Sequence, residues 1–278
     1  MKYFSVVISI YEKNDGQQLR VSLDSLLRQT LLPNEVLVVA DGPVPSELEQ
    51  VVQDFEVNVE RHNLPIKVNY QKYEQNEGLG EAMRKAALVA KGDYIARMDA
   101  DDICLPDRFE KQMKCFEEDA QLSIVGGQIS EFDGDVHHIT GRRVVPREHE
   151  EIANIMRSRN AMNHMTVIIK KKDLLEAGNY QPFYLLEDYY LWVRMLQHGC
   201  KFKNIDDDVV LVSAGREQMD RRGGYEYFRR QCQVFKYMLD TGFIPYWRYI
   251  LNLFERGVVH VLMPIPVRSL FYRLFLRN

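Results

Sequence analysis

The chain has 278 residues, 46% of them apolar and 27% charged, with a formal net charge of -4. That length holds one large α/β domain with an appendage, or two small domains, and the apolar share supports a packed core rather than disorder. Charge is uneven: Arg221 to Asn278 carries ten Lys/Arg against three Asp/Glu. An acidic body with a basic, aromatic tail argues against nucleic acid as the principal partner and toward an anionic membrane surface. Cys104, Cys115, Cys200 and Cys232 show no CxxC spacing and read as reduced thiols of a cytosolic protein. No stretch reaches the roughly 18 apolar residues of a spanning helix, since the best candidate, Gly257 to Val267, contains His260, Pro264 and Pro266. Glu12-Lys13-Asn14-Asp15 follows the apolar run Tyr3 to Tyr11 without a small-residue cleavage site, so no signal peptide is expected.

In chain order, Phe4 to Ile10 is a continuous apolar run, the pattern of a strand buried on both faces of a parallel sheet. Leu19, Leu23, Leu26 and Leu27 follow at helical spacing. Glu35 to Ala40 is a second buried strand ending at Asp41-Gly42-Pro43, and Leu48, Val51, Val52 and Phe55 mark a second helix. Ile66 to Tyr70 is a more polar strand, Leu79 to Ala90 a small-residue helix, and Tyr94 to Met98 a fourth strand. This alternation predicts a doubly wound sheet whose ligands bind beyond the carboxyl ends of its strands, where Tyr11, Asp41 and Asp99 to Asp102 fall. Past Pro106 come a helix through Phe109, Met113 and Phe116, strands at Leu122 to Gly127 and Gln128 to Phe132, and a hairpin turn at Asp133-Gly134 with Val136 to Val145 returning. Thr166 to Lys170 is a strand, and Leu185, Tyr189, Trp192, Val193 and Leu196 form a helical stripe closed by Gly199. Asp206-Asp207-Asp208 reads as a solvated turn before a last strand at Val209 to Val212, and Tyr225 to Leu239 spaces out a long helix.

Asp99-Ala100-Asp101-Asp102 is the densest chemistry in the chain. Carboxylates crowded after a buried strand are costly unless a positive charge lies between them. A hard divalent cation, Mg²⁺ or Mn²⁺, would bind one or two of them and complete its shell with substrate phosphate oxygens. In extended backbone Asp99 and Asp101 share a face. A solvated acidic loop before the Pro106 helix is the alternative. Asn76-Glu77-Gly78-Leu79-Gly80 with Arg84 enters the third helix, where glycines permit close backbone approach and helix N-terminal amides favour anions. It lacks the Gly-Lys-Ser/Thr ending of a Walker loop.

Five segments together resemble the family 2 glycosyltransferases of GT-A fold, especially bacterial enzymes of capsule, exopolysaccharide and O-antigen synthesis. They are Ser5 to Tyr11, Glu35 to Gly42, Asn76 to Gly80, Asp99 to Asp102 and Glu187-Asp188-Tyr189-Tyr190-Leu191-Trp192, within residues 4 to 215. The resemblance implies a Rossmann-like, mostly parallel central sheet flanked by helices. It implies a catalytic domain over 1–220 (a nucleotide-sugar half, 1–105, and an acceptor half, 106–220) and a helical extension over 221–278. It also implies inverting transfer of a sugar from a nucleotide-sugar, a UDP-sugar by family frequency, to a saccharide or lipid-linked saccharide. On it Asp101 is the direct metal ligand, and Asp99 holds a ribose hydroxyl or a metal-bound water. Asp102 either orients the metal shell or makes a loop hydrogen bond. Asp41 matches the nucleobase-binding acid, Tyr11 and Glu12 the base and ribose contacts, and Asn76, Gly78, Ala100 and Arg84 the rest of the donor site. Arg84 either faces the phosphates or is a solvated helix residue. Asp188 matches the general base and Glu187 a positioning residue.

On the acceptor side stand His164, which faces the acceptor or is structural, Trp192, which stacks on a sugar or belongs to the core, and Arg216. Some relatives place a metal-contacting His after the last strand; here Gly215-Arg216-Glu217-Gln218 stands there, and Arg216 or Arg222 could instead neutralise the diphosphate. Aromatic and basic residues interleaved from Trp247 to Asn278 suit an in-plane contact with the inner leaflet, or else packing on the catalytic domain or on a second subunit of a homodimer. The expected location is the cytoplasmic face of the inner membrane. Competing readings fit less well. An aspartyl phosphatase would carry its Asp-x-Asp after the first strand, and a nucleotidyltransferase would have a Gly-rich basic loop where Tyr11-Glu12-Lys13-Asn14 stands. A non-catalytic sugar-nucleotide-binding module would lack Asp188.

Overall fold

A computed structural model describes residues 3–213 and 224–259. The elements in order are β1 (Phe4–Ile10), α1 (Gly16–Leu27), β2 (Glu35–Ala40), α2 (Ser46–Arg61), β3 (Lys67–Lys72), α3 (Leu79–Val89), β4 (Tyr94–Met98), β5 (Ile103–Cys104), α4 (Arg108–Glu118), β6 (Leu122–Phe132), β7 (Ile139–Arg143), α5 (His149–Met156), β8 (Ile168–Lys170), α6 (Lys171–Glu176), α7 (Glu187–Gln197), β9 (Lys201–Ser213), α8 (Gly224–Asp240) and α9 (Tyr246–Gly257). All nine strands join one sheet in the order β3-β2-β1-β4-β8-β6-β9-β5, with β7 paired to β6.

The first half follows from its apolar runs. β2 is buried at every position and β1 at all but one, as strands sandwiched between helices must be. β1 pairs in parallel with both β2 and β4. The chain therefore runs outward from β1 to β3 and returns through α3 to the other side of β1, which opens a crevice at the carboxyl ends of β1 and β4. One core layer packs α1, α2 and α4 through Leu19, Leu23, Val52, Phe55, Phe109 and Phe116. The other packs α3, α7 and α8 through Met83, Ala86, Leu191, Trp192, Phe235 and Met238. Asp15 caps α1, its carboxylate accepting from the Gln18 amide at 2.8 Å.

The second half departs from the parallel pattern. β8 enters antiparallel to β4 and β6, while β9 runs parallel to β6 and antiparallel to β5. Residues 122–132 form one continuous strand rather than two. The acidic run Asp206 to Asp208 is not a solvated turn, because β9 begins at Lys201 and carries it as a bulge. Gly126 pairs with Asn204 and Gln128 with Asp208, so Ile205, Asp206 and Asp207 stand opposite Gly127 alone. Cations make the bulge acceptable: Asp208 takes Arg142 Nε at 2.7 Å, Asp206 pairs with Arg147 at 2.9 Å, and Asp207 pairs with Lys111. The four cysteines are free thiols. Among the described residues no helix is long and apolar enough to cross a membrane.

Gly42 ends β2 at φ +86°, and a Cβ there would lie 2.7 Å from the Asn76 amide nitrogen. Gly42→Ala should therefore destabilise the protein by about 2 kcal/mol, read as a lower urea midpoint at unchanged slope.

Candidate active site

Three strand ends deliver polar groups to one sheet edge. After β1 the half-buried Tyr11 donates its amide to Asn14 Oδ1 at 2.8 Å, while Glu12 is exposed. After β2 the buried Asp41 accepts from the amides of Glu77 and Gly78, each at 2.9 Å, which ties the Asn76–Gly80 loop to the end of β2. Asn76 itself is exposed. A Cβ on Gly80 would lie 2.9 Å from the Gln181 carbonyl oxygen and 3.2 Å from Glu187 Cβ. The missing side chain thus lets the start of α3 abut the start of α7. Arg84 donates to Glu81 through Nε and Nη2, a bidentate pair one helical turn apart.

The acidic loop between β4 and β5 is clamped from three sides. Ser22 Oγ on α1 donates to the Asp99 carbonyl at 3.0 Å, Gln29 Nε2 to that of Leu105 at 2.8 Å, and Arg108 Nη2 on α4 to that of Arg97 at 2.8 Å. Held this way, Asp99, Asp101 and Asp102 each present a carboxylate oxygen, and all three oxygens lie within 4.8 Å of one another. Asp102 is buried; its Oδ1 accepts from the Ser213 amide at 3.3 Å and its Oδ2 has no partner among the described residues. Burial first, then the charges of Asp99 and Asp101, raise its carboxyl well above the usual range. An orphaned buried oxygen in an all-oxygen donor set fits a hard divalent cation.

Beneath the loop lies a cation absent from the sequence-based candidates. Arg97 is 3% exposed within β4 and its Nη2 pairs with Asp99, while Nε and Nη1 have no partner among the described residues. Its charge is felt by His164, Tyr180 and Glu187. His164 is buried, with Nε2 2.9 Å from the Tyr180 hydroxyl, and burial followed by Arg97 pushes its imidazole well below the usual value. The signal for Arg97 was present in the sequence: a lone charge inside an apolar strand is rarely there without a partner.

Glu187 and Asp188 open α7 side by side. Asp188 accepts from Asn160 Nδ2 at 2.6 Å and from the Tyr189 amide at 2.7 Å. Asn160 was also missed, since nothing in its local sequence links it to α7. Glu187 is pushed up to about 7, by burial first and by Asp188 second. Two candidates need correction. Trp192 is fully buried, with His164 and Phe202 against its ring, so no face remains to stack on an acceptor. Ala100 is 4% exposed and part of the core, so only its backbone could meet a ligand. Arg216, Arg222 and the tail from His260 lie outside the described residues.

Residues 5–176 match the model of Glycosyl transferase family 2. The chain belongs to that family. It is 34% identical over 272 residues to the amylovoran biosynthesis glycosyltransferase AmsE of Erwinia amylovora, covering 97% of each chain. It is 30% identical over 280 residues to the Escherichia coli UDP-Gal:alpha-D-GlcNAc-diphosphoundecaprenol beta-1,3-galactosyltransferase, covering 99% of this chain and 97% of that one. Among solved structures, the mannosyltransferase PcManGT of Pyrobaculum calidifontis, in complex with GDP-Man and Mn²⁺, superposes with a TM-score of 0.65 at 16% identity over 97% of this chain and 73% of that one. The fold is GT-A, and the curated relatives are glycosyltransferases of bacterial polysaccharide synthesis.

The raised Glu187 makes stability depend on pH with a defined sign. Its folded value lies above its unfolded one, so its contribution is complete below about pH 4.5 and is lost as pH rises toward 7. Glu187→Gln should therefore gain stability relative to the wild type between pH 4.5 and 8, by up to about 3 kcal/mol, in urea titrations run at both pH values.

Proposed function

We propose that the protein moves a sugar from a UDP-sugar to a saccharide acceptor carried on a lipid, with inversion at the anomeric carbon, on the cytoplasmic face of a bacterial inner membrane. The observation that carries this reading is the convergence of the Asp99, Asp101 and Asp102 oxygens at a sheet edge whose Asp99 charge is felt by Glu187 at the start of α7. The uridine donor and lipid-linked acceptor are supported by the activity of the Escherichia coli relative, and a divalent ion by the orphaned Asp102 oxygen.

In this reading residues 1–105 bind donor, 106–220 bind acceptor, and 221–278 form an extension. Tyr11, Glu12, Asn76, Gly78 and the Ala100 backbone line the nucleotide, and Arg84 reaches the phosphates only by leaving Glu81. Asp41 keeps the loop in place through two amides, with lone pairs left for a nucleobase N–H. Asp101 and Asp99 would hold Mn²⁺ or Mg²⁺, with Asp102 shaping the shell; such an ion, when bound, neutralises charge on the departing diphosphate. The acceptor oxygen attacks the anomeric carbon from the face opposite the diphosphate. Its proton passes to Asp188, and the bond from carbon to the phosphate oxygen breaks, releasing the nucleoside diphosphate. Asn160 holds Asp188 in position, and Glu187 positions the reacting sugars.

Asp188→Asn should lower kcat by about 10²- to 10⁴-fold while leaving donor binding intact. Asp101→Asn should abolish the Mn²⁺-dependent part of donor binding. Donor binding in both variants is read by thermal shift with UDP, GDP and dTDP, with and without Mn²⁺, where a bound ligand at a hundredfold over its Kd adds roughly 2.7 kcal/mol, and kcat is read from the nucleoside diphosphate released. Wild-type protein that none of these nucleotides stabilises would refute the donor assignment, and near-normal turnover in Asp188→Asn would refute the base.

A further inference from the structure

α9 is built inside out. Its Tyr249, Asn252, Leu253 and Arg256, at helical spacing, face the protein. Tyr249 and Leu253 pack on the core, Asn252 Nδ2 donates to the Arg157 carbonyl, and Arg256 Nη2 donates to that of Ser158, both at 2.9 Å. The opposite face is apolar and open: Trp247 is 65% exposed, Ile250 45%, Leu251 37% and Phe254 70%. A helix normally buries its apolar stripe and wets its polar one. Here polar anchors hold the helix on the body and leave a contiguous aromatic and aliphatic stripe outward, which marks an interaction surface.

We infer that this face of α9 lies in the plane of an anionic lipid bilayer. Charge selects that occupant. Residues 257–278 hold Arg268, Arg273 and Arg277 and no acidic residue, a composition drawn to anionic headgroups. At 12 residues α9 is too short to span and suits an in-plane position. Position gives the contact a use. Arg157 and Ser158, which anchor α9, stand three and two residues before Asn160, the residue that holds Asp188. The bilayer would thus meet the protein beside the acceptor end of the site. The inference gives the proposed lipid-linked acceptor its surface, but vesicles without acceptor or donor test it separately from transfer.

The chain has two tryptophans, the fully buried Trp192 and the exposed Trp247, so emission reports the α9 face directly. With intact protein and phosphatidylcholine vesicles containing 30% phosphatidylglycerol, as a set condition of the assay, emission should shift to the blue and be quenched by brominated acyl chains. Pure phosphatidylcholine should bind more weakly, and added salt should weaken the anionic case. Ile250→Glu and Phe254→Glu should each lower vesicle partitioning at least about tenfold, with turnover on a water-soluble acceptor and thermal midpoint unchanged. Trp247→Phe should sediment with vesicles yet lose the shift, which separates binding from the reporter. No shift with anionic vesicles overturns the inference. So does a lipid-free blue shift that grows with protein concentration, which would assign the face to a second copy. A blue-shifted emission in the dilute monomer also overturns it, since the chain's own tail would then cover the face.

Discussion

Arg97 lies inside the protein on a strand otherwise made of apolar and small residues, and its charge is tolerable there because Asp99 sits against it. An unpaired guanidinium in that position would be severely destabilising, and so would an unpaired carboxylate. The pair pins the first carboxylate of the acidic loop from below, while Ser22 on α1, Gln29 just past it and Arg108 on α4 hold the carbonyls of Asp99, Leu105 and Arg97 in and around the loop. With Asp99 fixed, Asp101 and Asp102 stay close to it, and burial first, then the charges of Asp99 and Asp101, raise the carboxyl of Asp102. The cation proposed for this cluster would add positive charge where three carboxylate oxygens are crowded together.

The buried polar groups extend from this pair to His164 and Tyr180. His164 is kept neutral beside Arg97, and its hydrogen bond to Tyr180 satisfies one ring nitrogen inside the α7 layer of the core. Trp192 closes that layer rather than lining the cleft. Gly80 then allows α3 and α7 to touch, so that a donor-side loop and an acidic helix start share one wall. Glu187 and Asp188 are neighbours in sequence but sit in different surroundings. One is pushed toward neutral pH by burial, and the other accepts hydrogen bonds from Asn160 and a backbone amide. Two adjacent carboxylates in such different surroundings suit the proposed division into a base and a positioning residue.

The appended helices reverse the usual logic of packing. α8 buries Val234, Phe235 and Met238 against the catalytic core, whereas α9 is held on the body by hydrogen bonds and leaves Trp247 and Phe254 outward. The outward stripe is the surface for which the bilayer contact is proposed.

Local pattern sufficed for much of this protein. The buried runs of β1, β2 and β4, the helical stripes between them and the Asp-rich strand end followed from the residues alone, because period and burial are local consequences of side-chain chemistry. Five short motifs in order were enough to identify the family. The second half was less legible. β8 runs antiparallel, and Asp206 to Asp208 resemble a turn until Lys111, Arg142 and Arg147 arrive from distant elements to neutralise them. Likewise, sequence could nominate Trp192 as a stacking ring and overlook Arg97 and Asn160. Whether a ring is covered, or a buried charge has a partner, depends on residues far away in the chain, and only tertiary packing decides which of them meet.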